Sequence, residues 1–425
     1  MAGHVFTGFG FGPIQGGLFT KEAFQSGNFK RIVVAEIDTE LVESVRAKKG
    51  SYYVNMAKSD GIELLRIDNV ELLNPNVSKD RQILLEALTQ STEIVTSLPS
   101  VSFYESGGSN RVVSLIAEGL KNSSVEATII YAAENNNHAA EILKKAIDEK
   151  NGTPPRRQVQ FLNTVIGKMS RIVTDSDEIA ELKLQTIVPG LERAFLVEQF
   201  NRILVSRTNI VGFKPGIEAF IEKDDLLPFE EAKLYGHNAI HSLLGFIGAV
   251  KKVRSMTELK DNKAIMQIGR DAFLKESGAA LVKKYAHLGD ELFTVAGYEN
   301  FADDLLERMT NPYLGDTIAR VTRDVVRKLE IDGRIFGTMQ LALEYDIEPK
   351  NLSLGALAGI AILLNKAPEY KLPDNLCLSD WRELDPINIE KILKWLWNGK
   401  RCVHIDKIAK YLELAKKHLE ELTLN

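Results

Sequence analysis

Over the first 130 residues, hydrophobic and polar positions follow two alternating rhythms. Residues 5–9, VFTGF, are a short apolar run, and residues 14–25 carry apolar positions at helical spacing. RIVVAEI, residues 31–37, is a β-branched run that predicts a buried strand. Residues 39–48 then read as a helix, with Val42, Val45 and Arg46 at helical spacing. Residues 94–97 and 127–133 are further predicted strands, with a helix over 111–120 between them. Strand, helix, strand in this rhythm implies a mostly parallel sheet covered on both faces.

The rhythm changes after about residue 190. From Phe195 onward long amphipathic helical patterns are expected, among them LPFEEAKLYGHNAIHSLLGFIGAVKKV (227–253) and DTIARVTRDVVRKL (316–329). The chain is therefore divided near residue 206, into an α/β domain over 1–206 and a mainly α domain over 207–425. GTPPRR, residues 152–157, is either an internal loop or an alternative boundary.

GFGFGPIQGG, residues 8–17, follows the first predicted strand and opens a helix. Glycines there permit a tight turn and let backbone N–H groups approach a pyrophosphate, beside the positive end of a helix. Pro13 suits the first helical position, where its missing N–H costs nothing. The pattern departs from GxGxxG. Gly10 and Gly12 are in place, but Gln15 stands where the third glycine is expected, and should push the helix slightly off the strand. Gly16 and Gly17 follow and offer compensation. A Rossmann-type dinucleotide-binding domain is expected, with Gly10, Gly12, Pro13, Ile14 and Gln15 at the cofactor, and Thr96 and Ser97 at the end of a neighbouring strand. Glu36 closes the second strand, where a carboxylate accepts from ribose hydroxyls and repels a 2′-phosphate, so NAD is expected over NADP. Asp38 is the competing acid.

Composition narrows the classes of function. Hydrophobic residues make up 44% and charged residues 26%, as in an ordinary globular protein. A net charge of −5 gives no basic field for nucleic acid. Cys377 and Cys402 make neither a disulfide framework nor a cysteine zinc site. No membrane span or secretion signal is visible, so a cytoplasmic protein is expected.

KLYGHNAIH, residues 233–241, places four polar side chains on one predicted helix. At roughly 100° per residue, His237, His241 and Asn238 lie about 40°, 80° and 140° round from Lys233. One face can then present them together. Neither cysteines nor clustered histidines suggest a metal there, so none is expected.

These residues resemble the polyol-specific long-chain dehydrogenase (mannitol dehydrogenase) family, whose members carry a lysine, four residues, asparagine, two residues and histidine on a helix of the C-terminal domain. AAEN (132–135), RIV (171–173), ESGAALVKKY (276–285), NPYLGDTIARVTRD (311–324), DGR (332–334) and LEYDIEPKNL (343–352) are similar to family segments in the expected order. Ser170 stands where aspartate is usual.

The resemblance implies a metal-independent, NAD-dependent oxidoreductase with Lys233 as general base. Asn238 and Asn135 would donate to the reacting oxygen, and His241 would contact substrate or orient Lys233. The site would lie in the cleft between the domains. Arg334 is either a substrate contact or a surface salt-bridge partner. Glu198, in EQF, either lines the site or sits at an element end. His237 shares the helix face; it is either a substrate neighbour or a histidine satisfied by a local backbone carbonyl. Segments 276–285 and 311–352 are similar to the sugar-phosphate branch, so mannitol 1-phosphate with fructose 6-phosphate is the favoured pair. A hexuronate ketose, free mannitol, and a non-catalytic NAD-binding sensor are the alternatives. A monomer or small homo-oligomer is expected, with no nucleic-acid or membrane partner.

Overall fold

RIVVAEI becomes a strand because both of its faces can be buried. Ile32 and Val34 enter one hydrophobic core, Val33 and Ala35 another. The computed structural model describes residues 3–151, 157–199, 202–370, 372 and 380–424. GTPPRR therefore lies outside the described residues apart from Arg157, and so does Cys377.

The strands of the first half are β1 (His4–Phe9), β2 (Phe29–Ala35), β3 (Tyr52–Ala57), β4 (Ile62–Ile67), β5 (Val70–Leu73) and β6 (Glu93–Thr96). They are followed by β7 (Ala127–Ala132), β8 (Gln158–Ile166), β9 (Ser170–Val173), β10 (Ala194–Glu198), β11 (Ile203–Ser206) and β12 (Phe220–Lys223). One sheet runs β12-β11-β8-β7-β6-β1-β2-β5. Its stretch from β5 to β8 is parallel throughout. Counted within that stretch, the order is the doubly wound 3-2-1-4-5-6, which reverses between β1 and β6. Loops leaving β1 and β6 thus open the crevice where such folds bind nucleotides. β11 pairs antiparallel to β8 and extends the sheet.

A second, four-stranded sheet, β4-β3-β10-β9, was not foreseen. The helical texture expected from Phe195 is corrected there. AFLVE is a buried strand, and ILVS and FIEK are strands as well. AFLVE and ILVS are short apolar runs, which fit a buried strand.

By contacts the chain divides into Met1–Leu227 and Pro228–Asn425. The expected boundary at residue 206 falls between β11 and β12 of one sheet. Helix begins only at Leu227–Glu231.

The described elements of the second unit are all helices. Ala239–Val250 and Lys350–Asn365 are buried along nearly their whole length. They approach closely because glycine lines the contact. A Cβ on Gly355 would sit 2.8 Å from Leu243, and one on Gly359 would sit 3.0 Å from Phe246. The single long helix expected over 316–329 is corrected. Ile318–Val321 and Val325–Lys328 are separate, because Asp324 takes a left-handed conformation at φ 54°. Aspartate tolerates that region better than most residues. No helix among the described residues is long and apolar enough to cross a membrane.

Candidate active site

The glycine loop has the form a pyrophosphate needs. Gly10 adopts φ +80°, and a Cβ there would lie 2.9 Å from the Ser97 carbonyl oxygen. Only glycine satisfies both limits. A Cβ on Gly12 would meet nothing within 4 Å, so its backbone stands clear for a ligand. Pro13 and Ile14 are the first helical residues after it.

Gln15 faces the interior. Its side chain is fully buried and turned toward β1, against Gly8. A Cβ on Gly8 would be 2.3 Å from Gln15 Nε2, so the absent side chain of Gly8 makes the room. The helix also widens. Gln15–Phe19 is π-helical, and Thr20 N–H donates to the Gln15 carbonyl five residues back. That bond skips the Gly16 carbonyl, which instead accepts from the Tyr52 hydroxyl at 2.7 Å. Gly16 and Gly17 lie against Phe195 and Val197 of the second sheet, where Cβ atoms would come within 2.7 and 2.5 Å. Gln15 can offer a cofactor only its backbone.

Glu36 and Asp38 are separated by their bonds. Glu36 accepts from the backbone N–H groups of Phe11 (2.7 Å), Ile37 (2.7 Å) and Asp38 (2.9 Å), which fixes it beside the glycine loop. A carboxylate has about four acceptor positions, so capacity remains for a ribose hydroxyl. Asp38 caps helix Thr39–Ala47 through Leu41 N–H and pairs with Arg193 at 2.6 Å. The hydrogen bond from Arg193 holds its carboxyl below the usual range. With Gly10 and Gly12, Glu36 fits a dinucleotide.

Thr96 is buried, and Ser97 N–H donates to the Phe9 carbonyl at 3.0 Å, tying the exits of β1 and β6. Glu134, just before Asn135, accepts from Thr96 Oγ1 and Leu98 N–H at 2.9 Å each, and from the Tyr104 hydroxyl. Burial raises its carboxyl pKa. The sequence reading gave Glu134 no role, yet it anchors the loop that presents the exposed Asn135. Glu198 is 3% exposed at the end of β10 and accepts from Met169 N–H. Its observed place is a strand end.

In the second unit, KLYGHNAIH is not a plain α-helix. Ala232–Asn238 is π-helical, and Ala239 N–H reaches back five residues to the Leu234 carbonyl. The angular count at roughly 100° per residue therefore does not hold across it. Lys233 and Asn238 are five apart, the span of one i→i+5 bond, so the π turn sets them nearer to one side than a 3.6-residue helix would. His237 and His241 have ring centroids 6.2 Å apart.

Charge does the rest. Lys233 is half-buried, and burial together with the Arg334 guanidinium pushes its ammonium down to about 8. His237 is 6% exposed; burial, then its cationic neighbours, hold it well below the usual histidine range. His241 Nε2 lies 2.9 Å from Asp316 Oδ2, and Asp316 Oδ1 accepts from Arg320 at 2.7 Å. Burial pushes the Asp316 carboxyl up, but these two partners outweigh it and hold it far down. An ionised carboxylate thereby orients His241.

Arg334 is no surface salt-bridge residue. It donates to Ser242 Oγ at 3.2 Å, and burial with Arg327 and Arg320 pushes it down to about 10. Lys328 was missed by sequence reading. It is 5% exposed and donates to the Arg323 carbonyl. Burial, Arg334 and Arg327 push it down to about 8. Lys328 is buried, Arg334 is half-buried, and the Arg334 charge lowers Lys328, which makes the pair a candidate anion site. Lys328 ends the short helix that follows the break at Asp324, which a continuous helical pattern concealed.

Residues 225–369 match the family described as mannitol dehydrogenase C-terminal domain. The mannitol-1-phosphate 5-dehydrogenase of Geobacillus stearothermophilus is 28% identical over 368 residues, covering 84% of this chain and 86% of its own. The enzyme of that description from Buchnera aphidicola is 24% identical, covering 82% and 84%. A substrate-free D-sorbitol dehydrogenase has the same fold, with TM-score 0.76 at 14% identity, over 99% of this chain and 94% of that one. So has Pseudomonas fluorescens mannitol 2-dehydrogenase, solved with NAD and D-mannitol, with TM-score 0.68 at 15% identity over 99% and 93%. The lysine, asparagine and histidine helix lies inside the segment that matches the mannitol dehydrogenase C-terminal domain, and over most of its length the chain is similar to mannitol-1-phosphate 5-dehydrogenases.

Proposed function

We propose that this protein is an NAD-dependent dehydrogenase interconverting a polyol phosphate and a ketose phosphate, with mannitol 1-phosphate and fructose 6-phosphate as the pair. The observation that carries the reading is Lys233, on the turn that also carries Asn238: burial and the Arg334 charge push its ammonium down to about 8. An amine with that pKa is neutral often enough near pH 8 to act as a base.

In oxidation, Lys233 Nζ takes the proton of the carbinol hydroxyl. The Asn238 amide donates to the alkoxide oxygen as charge develops. Asn135 is proposed as a further amide donor in the reaction. His241, oriented by Asp316, holds a second substrate hydroxyl. Bound NAD would accept the hydride released from the carbinol carbon. In reduction, protonated Lys233 returns its proton to the carbonyl oxygen. Gly10, Gly12 and Glu36 hold the cofactor, and the Glu36 carboxylate disfavours a 2′-phosphate. Lys328 and Arg334 supply the anion site for the substrate phosphate. The similarity to mannitol-1-phosphate 5-dehydrogenases agrees with this choice.

Initial rates with NADH and NADPH on fructose 6-phosphate, fructose, tagaturonate and fructuronate test the reading. The expected result is fastest turnover of fructose 6-phosphate with NADH. Preference for fructose would move the assignment to free mannitol, and preference for a hexuronate to the uronate reductases. No turnover with retained NADH binding would favour the sensor.

A further inference from the structure

The π turn at Ala232–Asn238 poses a problem that the rest of the unit solves. In an α-helix, Ala239 N–H would serve the Tyr235 carbonyl four residues back. Here it serves Leu234, and also Gly236, and leaves Tyr235 out. A carbonyl left without a donor at a buried site is unfavourable, so a lone π turn tends to relax to α. Ser277 Oγ donates to that carbonyl at 2.7 Å, and Thr338 Oγ1 approaches it at 3.4 Å.

Ser277 is itself fully buried and held in place. It lies in a second π-helical segment, Ala272–Gly278, that packs against the first. The Tyr298 hydroxyl is 3.3 Å from Ser277 Oγ. Gly236 and Gly278 make room for the Tyr298 ring, since their Cβ atoms would fall 2.7 and 2.6 Å from it or its hydroxyl. The neighbouring Glu276 caps a third element. It accepts from Asn351 N–H at 2.6 Å and Leu352 N–H at 2.8 Å, at the start of helix Lys350–Asn365, whose own N-cap residue Pro349 has no side-chain cap. The second segment is thus pinned to a long buried helix on one side and to the skipped carbonyl on the other.

We propose that Ser277 is a positioning residue for the reaction: its hydroxyl occupies the skipped Tyr235 carbonyl and so holds the π turn that stacks Lys233 on Asn238. Relaxation to α would leave Lys233 and Asn238 about 140° apart, at roughly 100° per residue. It would also swing Lys233 away from Arg334. This role rests on the assignment of Lys233 as base, but its effect on Lys233 itself does not.

The test therefore reads Lys233 without turnover. Competitive acetylation of the unliganded full chain across pH, followed by peptide mass spectrometry, gives the titration of Lys233. Wild type is expected to titrate near 8. Ser277→Ala should move Lys233 upward toward ordinary lysine and lower kcat by up to about 10²-fold, the cost of a small misplacement. NADH affinity should hold. Ser277→Thr keeps the hydroxyl and should restore both readouts. Tyr298→Phe, which removes only the hydroxyl beside Ser277, should give a smaller shift in the same direction and serves if Ser277→Ala does not fold. An unshifted Lys233 in folded Ser277→Ala, or in Tyr298→Phe should that be the variant that folds, overturns the proposal. A shifted Lys233 with unchanged kcat keeps Ser277 as the prop of the turn and instead removes Lys233 from the chemistry.

Discussion

The two units each carry a π turn beside functional residues, and they use it differently. At Gln15–Phe19 every residue is buried, and the widening lets a glutamine occupy a place that dinucleotide folds give to glycine. At Ala232–Asn238 only Ala232, Gly236 and His237 are buried, and the widening brings a lysine and an asparagine into register. In both, a hydroxyl from another element fills the carbonyl that the turn skips: Tyr52 on Gly16, Ser277 on Tyr235. The first turn accommodates a side chain; the second aligns two. One extra residue per turn costs a backbone bond, and a buried hydroxyl elsewhere offsets it.

The largest effect should come from the second turn. Lys233→Ala is expected to cut kcat by about 10²- to 10⁴-fold, the range for losing a general base. NADH affinity, a property of the other unit's loop, should stay near wild type by fluorescence titration. Loss of NADH binding together with activity would break the division of labour between the units.

A smaller and more selective effect is expected at the anion site. Lys328→Met removes a charged donor, a loss of about 1.5–3 kcal/mol, or roughly 10- to 100-fold at 1.4 kcal/mol per tenfold. It should appear in KM for fructose 6-phosphate and far less in the rate with fructose. Equal losses on both substrates would remove the phosphate assignment.

How much of this could be read from residues alone differs between the units for a physical reason. The parallel sheet was readable because β2 and β7 carry the apolar runs IVVA and IIYA. The glycine loop was readable because Gly10 needs a positive φ. The second sheet was not, since YYVNMA interrupts its apolar run with Asn55. That asparagine is buried only because its amide reaches the Gln185 and Phe195 carbonyls, at 2.8 and 2.9 Å. The polar residues of KLYGHNAIH stand out in the sequence, but a 3.6-residue ruler misjudges their geometry. The spacing of five between Lys233 and Asn238 was the available clue. Lys328 was hidden by the helical pattern over 316–329, which carries no mark of the turn at Asp324. Ser277 lies in ESGAALVKKY, but a skipped carbonyl cannot be seen in a sequence.

The smallest effect should be at Tyr52. Tyr52→Phe leaves the Gly16 carbonyl unserved and should lower stability in urea unfolding by about 1–3 kcal/mol. Turnover at saturating NADH should fall much less than in Ser277→Ala. Equal losses of turnover would mean that both turns serve alignment.

The central claim is that Lys233 is the base, and the pH dependence of kcat/KM for mannitol 1-phosphate oxidation tests it most directly. Only the neutral amine accepts the hydroxyl proton, so the rate should rise with pH through about 8 and level off above it. The reverse reaction needs the ammonium and should fall through the same pH. The residual activity of Lys233→Ala should lack the inflection. A profile flat across pH 8, or an inflection that survives in Lys233→Ala, would contradict the account.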